Sequence, residues 1–126
     1  MFIRFVVDDV CKDSEQRLGV FQAVSYLKED NIFFDYELDH AEYLLDWFNK
    51  NLESPFDHLN KQKLKKSDVY ISWFKISAIE HIAKVRELVS MLENRDIFVD
   101  QVRAINPGKI VYQDNFQVFA KPFKKF

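Results

Sequence analysis

Residues 35–52 carry apolar and aromatic side chains on two opposed sides of what reads as one helix, and no other stretch constrains the fold as much. At about 100° per residue, Leu38, Ala41, Leu45, Phe48 and Leu52 fall on one stripe. Tyr36, His40, Tyr43 and Trp47 fall on a second stripe almost opposite, with Asp39, Glu42 and Asp46 running between the two. A helix of this kind has to be covered twice, once by its own core and once by something else. The first stripe is the expected core face. The second has two readings. Tyr and Trp offer a broad contact area with a polar tip, so Tyr36, Tyr43 and Trp47, with His40 and the acids Asp39, Glu42 and Asp46, form a candidate partner-binding surface for a basic protein. In the other reading the chain covers the stripe itself, with its Lys-rich segment 61–66 or its C-terminal tail.

The elements around this helix follow from local pattern. Residues 2–7 are aromatic and β-branched and read as a strand buried on both faces. Val20, Ala23, Val24 and Leu27 recur at helical spacing and place a short helix over 18–29. Asp35 is the expected N-cap of the longer helix, with Glu37 and Asp39 in its first turn, and Ser54-Pro55 lies beyond its end. Residues 69–74 read as a central strand. Ser77 and Glu80 have the spacing of a capping box for a helix reaching residue 93. A strand over 97–105 leads into Asn106-Pro107-Gly108-Lys109, which suits a type II turn, and then into strands at 110–112 and 116–121 joined at Asp114-Asn115. The order β-α-α-β-α-β-β-β defines an α+β class: a small mixed sheet of about five strands with helices packed on it, in a single domain 1–126. The unit 69–105 is expected to be a right-handed parallel crossover and the last three strands an antiparallel meander.

Composition excludes several function classes. Only Gly19 and Gly108 are glycine, so neither a phosphate-cradling P-loop nor a dinucleotide fingerprint can be written. One cysteine, Cys11, excludes an internal disulfide and a multi-cysteine zinc site. The net charge of −2 argues against a nucleic-acid binder. Its distribution is uneven: residues 1–60 hold five basic and thirteen acidic side chains, residues 61–126 thirteen basic and seven acidic. Such asymmetry orients charged partners. No run approaches the ~20 apolar residues needed to span a bilayer, and the start of the chain does not read as a signal peptide, so no membrane association and a cytoplasmic location are expected.

Chemistry-bearing constellations are sparse. Trp73-Phe74-Lys75-Ile76-Ser77 joins a strand end to a helix start, where unpaired amides attract anions. Lys75, Ser77 and His81 are therefore a candidate ligand or anion site, although capping explains Ser77 and a core-edge position explains His81. His40, His58 and His81 match no metal spacing. Asp8-Asp9, with Asp13 and Glu15 nearby, is a weak metal candidate, because adjacent residues of an extended chain point to opposite sides. Cys11 has no histidine near it in sequence, the run 61–66 has no aromatic interleaving, and the tail 121–126 mixes Lys with Phe. No catalytic set, cofactor or metal is expected.

Trp73-Phe74-Lys75, Ser77-Ala78, Glu80-His81-Ile82 and Lys84, followed by Pro107-Gly108, Ile110-Val111-Tyr112, Asp114, Gln117-Val118, Ala120 and Pro122-Phe123, form a pattern that resembles a group of small bacterial proteins with no assigned activity. The group carries Glu where this chain has Gln113, and the first half shares chiefly Gly19 and Phe21 with it. The resemblance implies a compact bacterial domain and transfers no functional residue. The expected function is a non-enzymatic protein-binding module, most concretely an immunity or antidote protein that masks a toxin such as a nuclease. The alternative is a small enzyme or anion-binding domain built on Lys75, Ser77 and His81. A homodimer through the aromatic stripe is a third arrangement.

Overall fold

The computed structural model describes residues 1–10, 17–59 and 69–123, apart from the side chains of Asp9, Val10 and Phe56. Cys11, Asp13, Glu15, the Lys-rich run 61–66 and the end of the tail lie outside the described residues. The elements are β1 (Phe2–Val10), β2 (Arg17–Gly19), α1 (Val20–Glu29), α2 (Asp35–Asn51), β3 (Ile71–Lys75), α3 (Ile79–Glu93), β4 (Val99–Ala104), β5 (Lys109–Gln113) and β6 (Gln117–Lys121). A single 3-10 turn, Pro55–Asp57, follows α2. The architecture is α+β, a six-stranded antiparallel sheet with three helices packed on it.

The sheet is organised around β1. Phe2 pairs with Lys75 of β3 and with Ala104 of β4, so these two strands lie on opposite edges of β1. Val6 pairs with Gly19 of β2 and with Asp100 of β4. β2 and β3 therefore share one edge of β1, end to end, while β4 runs along the other. β6 continues the sheet beyond β3, and β5 completes it. The expected mixed sheet is corrected here, because every pairing is antiparallel. β3 and β4, joined through α3, do run in the same direction, but β1 lies between them. The expected meander is also replaced: β5 and β6 form a hairpin on β3, and β4 is remote from both in the strand order. Local patterning identified the strands. It carried no information on which strand β1 would take as a neighbour.

The helices cover one sheet face. Ile3, Phe5, Val7 and Phe74 meet Val20 and Val24 of α1, Ala41, Leu44 and Phe48 of α2, and Val85, Leu88 and Leu92 of α3. The other face carries a smaller cluster of Ile71, Trp73 and Val118. Alternation along β1 and β3 distributes side chains between the two. Gly108, at φ 121°, closes the turn into β5; a Cβ there would lie 2.1 Å from the Lys121 carbonyl oxygen, so only glycine fits.

Candidate functional site

α2 starts one residue earlier in its capping than the sequence pattern implies. Phe34 is the N-cap, and its backbone N–H donates to the Glu37 carboxylate at 3.0 Å. Glu37 also receives two hydrogen bonds from the Arg95 guanidinium, which ties the start of α2 to the end of α3. The hydrogen bonds from Arg95 hold the Glu37 carboxyl below its ordinary range. Arg95 in turn lies over the rings of Phe33 and Phe34, and Phe34 stacks on Tyr36 with ring centroids 6.1 Å apart. This knot at the N-terminus of α2 was not anticipated, because Arg95 and Glu37 are 58 residues apart and no local signal links them.

The buried face of α2 comprises Ala41, Leu44 and Phe48, with Leu45, Trp47 and Leu52 packed partly against the same core. The expected stripe omitted Leu44, which is fully buried, and included Leu38, which is only half-buried. The core face is thus turned toward Leu44 and Trp47. Trp47 makes edge contacts with Phe48 and His81 and serves its own chain. Tyr36 and Tyr43 differ: they are 73% and 56% exposed. His40 is exposed and lies 3.4 Å from Glu87 of α3. Lys84 of α3 sits over the rings of Tyr43 and Trp47. Among the acids, Glu42 reaches Lys28 of α1 at 3.5 Å, whereas Asp39 and Asp46 are exposed and make no ion pair among the described residues.

The strand-to-helix junction has a different character. The expected capping box is absent: Ala78 is the N-cap of α3 without a side-chain cap, and the Ile79 N–H donates to the Ser77 carbonyl instead. Ser77, Glu80 and His81 line a cleft of about 840 Å³ between the C-terminus of α2, the start of α3 and the β5–β6 turn; Lys75 is not part of that lining. His81 is 4% exposed, stacks on Phe116 at 4.2 Å, and its Nε2 lies 2.8 Å from the Asn51 carbonyl oxygen. A carbonyl only accepts, so Nε2 carries the proton and His81 is a hydrogen-bonded core histidine at the cleft wall. Glu53, Asp57, Glu80 and Asp114 also line the cleft, against Lys50 as the one cation among the described residues. That balance favours a positive or neutral group over an anion. Gln117, buried beside it, donates to the Glu53 carbonyl at 2.6 Å and to Asp114 at 3.2 Å, bracing the wall.

Among the described residues no group of three or more His, Cys, Asp or Glu is placed to hold a metal ion, and no helix is long and apolar enough to cross a membrane. No protein-family model, curated protein or solved structure matches the chain.

Proposed function

We propose that the chain is a protein-binding module that docks a basic partner on the outer face of α2, through Tyr36, Asp39, His40, Glu42, Tyr43 and Asp46, with Trp47 as the packed base beneath them. The observation that carries this reading is the exposure of Tyr36 and Tyr43, at 73% and 56%, on a helix fixed at both neighbours by Lys28, Glu87 and Arg95. Rigid aromatic side chains with little rotamer freedom are effective contact anchors. Phe34, 66% exposed and stacked on Tyr36, extends the same surface. Asp39 and Asp46 beside them are free to meet cations, and the acidic first half of the chain would speed encounter with a cationic protein. An antidote that covers a basic toxin domain, such as a nuclease, is the most concrete partner of this chemistry. The exposed rings and unpaired acids support a partner-binding role more directly than the cleft at Ser77 and His81 supports catalysis.

The test compares partner capture from the source cells by the wild-type chain and by a Tyr36→Ala/Tyr43→Ala/Asp39→Lys variant. The reading requires a stoichiometric basic protein held by the wild type, released as salt rises, and lost with the variant. An identical set of proteins on both chains would contradict it. So would a mass by light scattering showing a dimer that the same substitutions dissociate, since the occupant of the face would then be a second copy.

A further inference from the structure

Three segments border the cleft beside His81: the end of α2 with the 3-10 turn after it, the start of α3, and the turn between β5 and β6. Its volume of about 840 Å³ is within the range of small-molecule sites. Of its four carboxylates, two are already engaged. Asp114 accepts from the Tyr112 hydroxyl and the Phe116 N–H at 2.8 Å and from Gln117 at 3.0 and 3.2 Å, so it contributes charge more than contact. Glu53 meets His58 at 3.2 Å. Asp57, on the 3-10 turn, and Glu80, in the first turn of α3, are exposed and make no ion pair among the described residues.

The buried histidine supplies an independent sign of the ligand. His81 is 4% exposed and lines the cleft, and its Nε2–H is committed to the Asn51 carbonyl. Nδ1 is then an acceptor, and no described residue donates to it. It is not sealed off either, because Trp73 Nε1 is the one enclosed side-chain nitrogen or oxygen without a partner among the described residues. An acceptor on an acidic wall calls for a hydrogen-bond donor. Phe116, 39% exposed, stacks on the same imidazole and gives the cleft an apolar side. α2 ends at the cleft, and the negative end of its dipole acts in the same sense as the acids. The α3 N-terminus opposes it, and Glu80 in its first turn offsets that pole.

A single metal ion does not fit this pattern, since no three of His, Cys, Asp and Glu among the described residues are placed to converge on one. Carboxylates held apart on separate segments match a cation whose charges are themselves spaced apart. We propose that the cleft binds an aliphatic polyamine, with one ammonium donating to Glu80 and the His81 Nδ1, another donating to Asp57, and the methylene chain lying on Phe116. Ammonium groups only donate, which is what these three acceptors require. Asp114 and Glu53 strengthen the attraction without contact. Joining the charged ends in one molecule makes the second contact intramolecular, so a polyamine holds where a simple amine does not. The site is separate from the docking face of α2, whose Tyr36, Asp39, Tyr43 and Asp46 are not in its lining.

The probe is spermidine, followed by calorimetry at physiological ionic strength, with n-butylamine as the single-charge control and Mg²⁺ as the compact dication. The site predicts one spermidine per chain, butylamine about tenfold weaker or worse, and no displacement of spermidine by equimolar Mg²⁺. Asp57→Asn and Glu80→Gln, both at exposed positions, should each weaken spermidine severalfold, and the pair about tenfold, in a chain whose circular dichroism is unchanged. Asp39→Asn/Asp46→Asn removes the same charge from the docking face and should leave spermidine binding unaltered, which separates this site from that face. The His81 Nδ1 resonance, assigned by elimination through the exposed His40→Gln and His58→Gln, should move upfield as spermidine is added. No binding by the folded chain, equal affinity for butylamine, displacement by Mg²⁺, unaltered binding by the folded cleft pair, an equal loss in the docking-face pair, or a stationary His81 Nδ1 resonance would each overturn the proposal.

Discussion

Arg4 is a half-buried cation with no carboxylate partner among the described residues. It sits within the strongly apolar stretch Phe2–Val10, in a position that a strand buried on both faces would normally fill with another aliphatic side chain. Its guanidinium lies over the Trp73 ring and donates to the Arg17 carbonyl. Replacing a half-buried charge by an apolar chain of similar length removes a desolvation cost. Arg4→Met is therefore expected to raise stability by about 1 kcal/mol in urea unfolding. Destabilisation by a similar amount would mean that the contact with Trp73 outweighs the burial of charge. His81 illustrates the opposite case. It is more deeply buried than Arg4, but its Nε2–H reaches the Asn51 carbonyl, so its presence in the core is satisfied.

At the scale of elements, periodicity located the helices, and capping was less legible. α1 and α2 follow the spacing of their apolar residues to within two residues at each end. α3 begins at Ile79, near the position that the Ser77–Glu80 pair suggests, but backbone hydrogen bonds to Lys75 and Ser77 close the turn without the side chains. The strand β2 has three residues and no pattern of its own; it exists because β1 offers it an edge. The outer face of α2 was readable because a helix fixes which residues share a side. The gap between β2 and β3 along β1 was not, because it depends on where two distant strands stop pairing. The β5–β6 hairpin offers a direct test of local electrostatics. Burial opposes ionisation of Asp114, but donors from Phe116, Gln117 and the Tyr112 hydroxyl more than offset it and hold the carboxyl below its ordinary range. The same burial, with the bond to Asp114, pushes Tyr112 up to about 12. A depressed folded-state value means that the ionised group stabilises the fold above the ordinary carboxylate range and that this contribution is lost as pH falls through it. Asp114→Asn is expected to cost about 1 kcal/mol at pH 7, a gap that closes as pH falls below the ordinary carboxylate range. A gap independent of pH would assign the effect to shape rather than charge.

At the scale of the whole molecule, the two sheet faces and the two ends of charge define separate surfaces. The helical layer buries one sheet face and presents α2 outward, with its N-terminus locked to α3 by Glu37 and Arg95. Phe34, Tyr36 and Tyr43 remain exposed beside Asp39 and Asp46. Rigidity of the support matters as much as exposure, because a pre-ordered surface loses less freedom on association. The proposed occupant of this face is a basic protein. Carboxyl footprinting by mass spectrometry, on the free chain and on its complex with the captured partner, reads that face directly. Asp39 and Asp46 should label readily in the free chain and become shielded in the complex, while Glu80 and Asp57 at the Ser77 cleft stay reactive. Undiminished labelling of Asp39 and Asp46 in a complex of full occupancy would mean that the partner sits elsewhere.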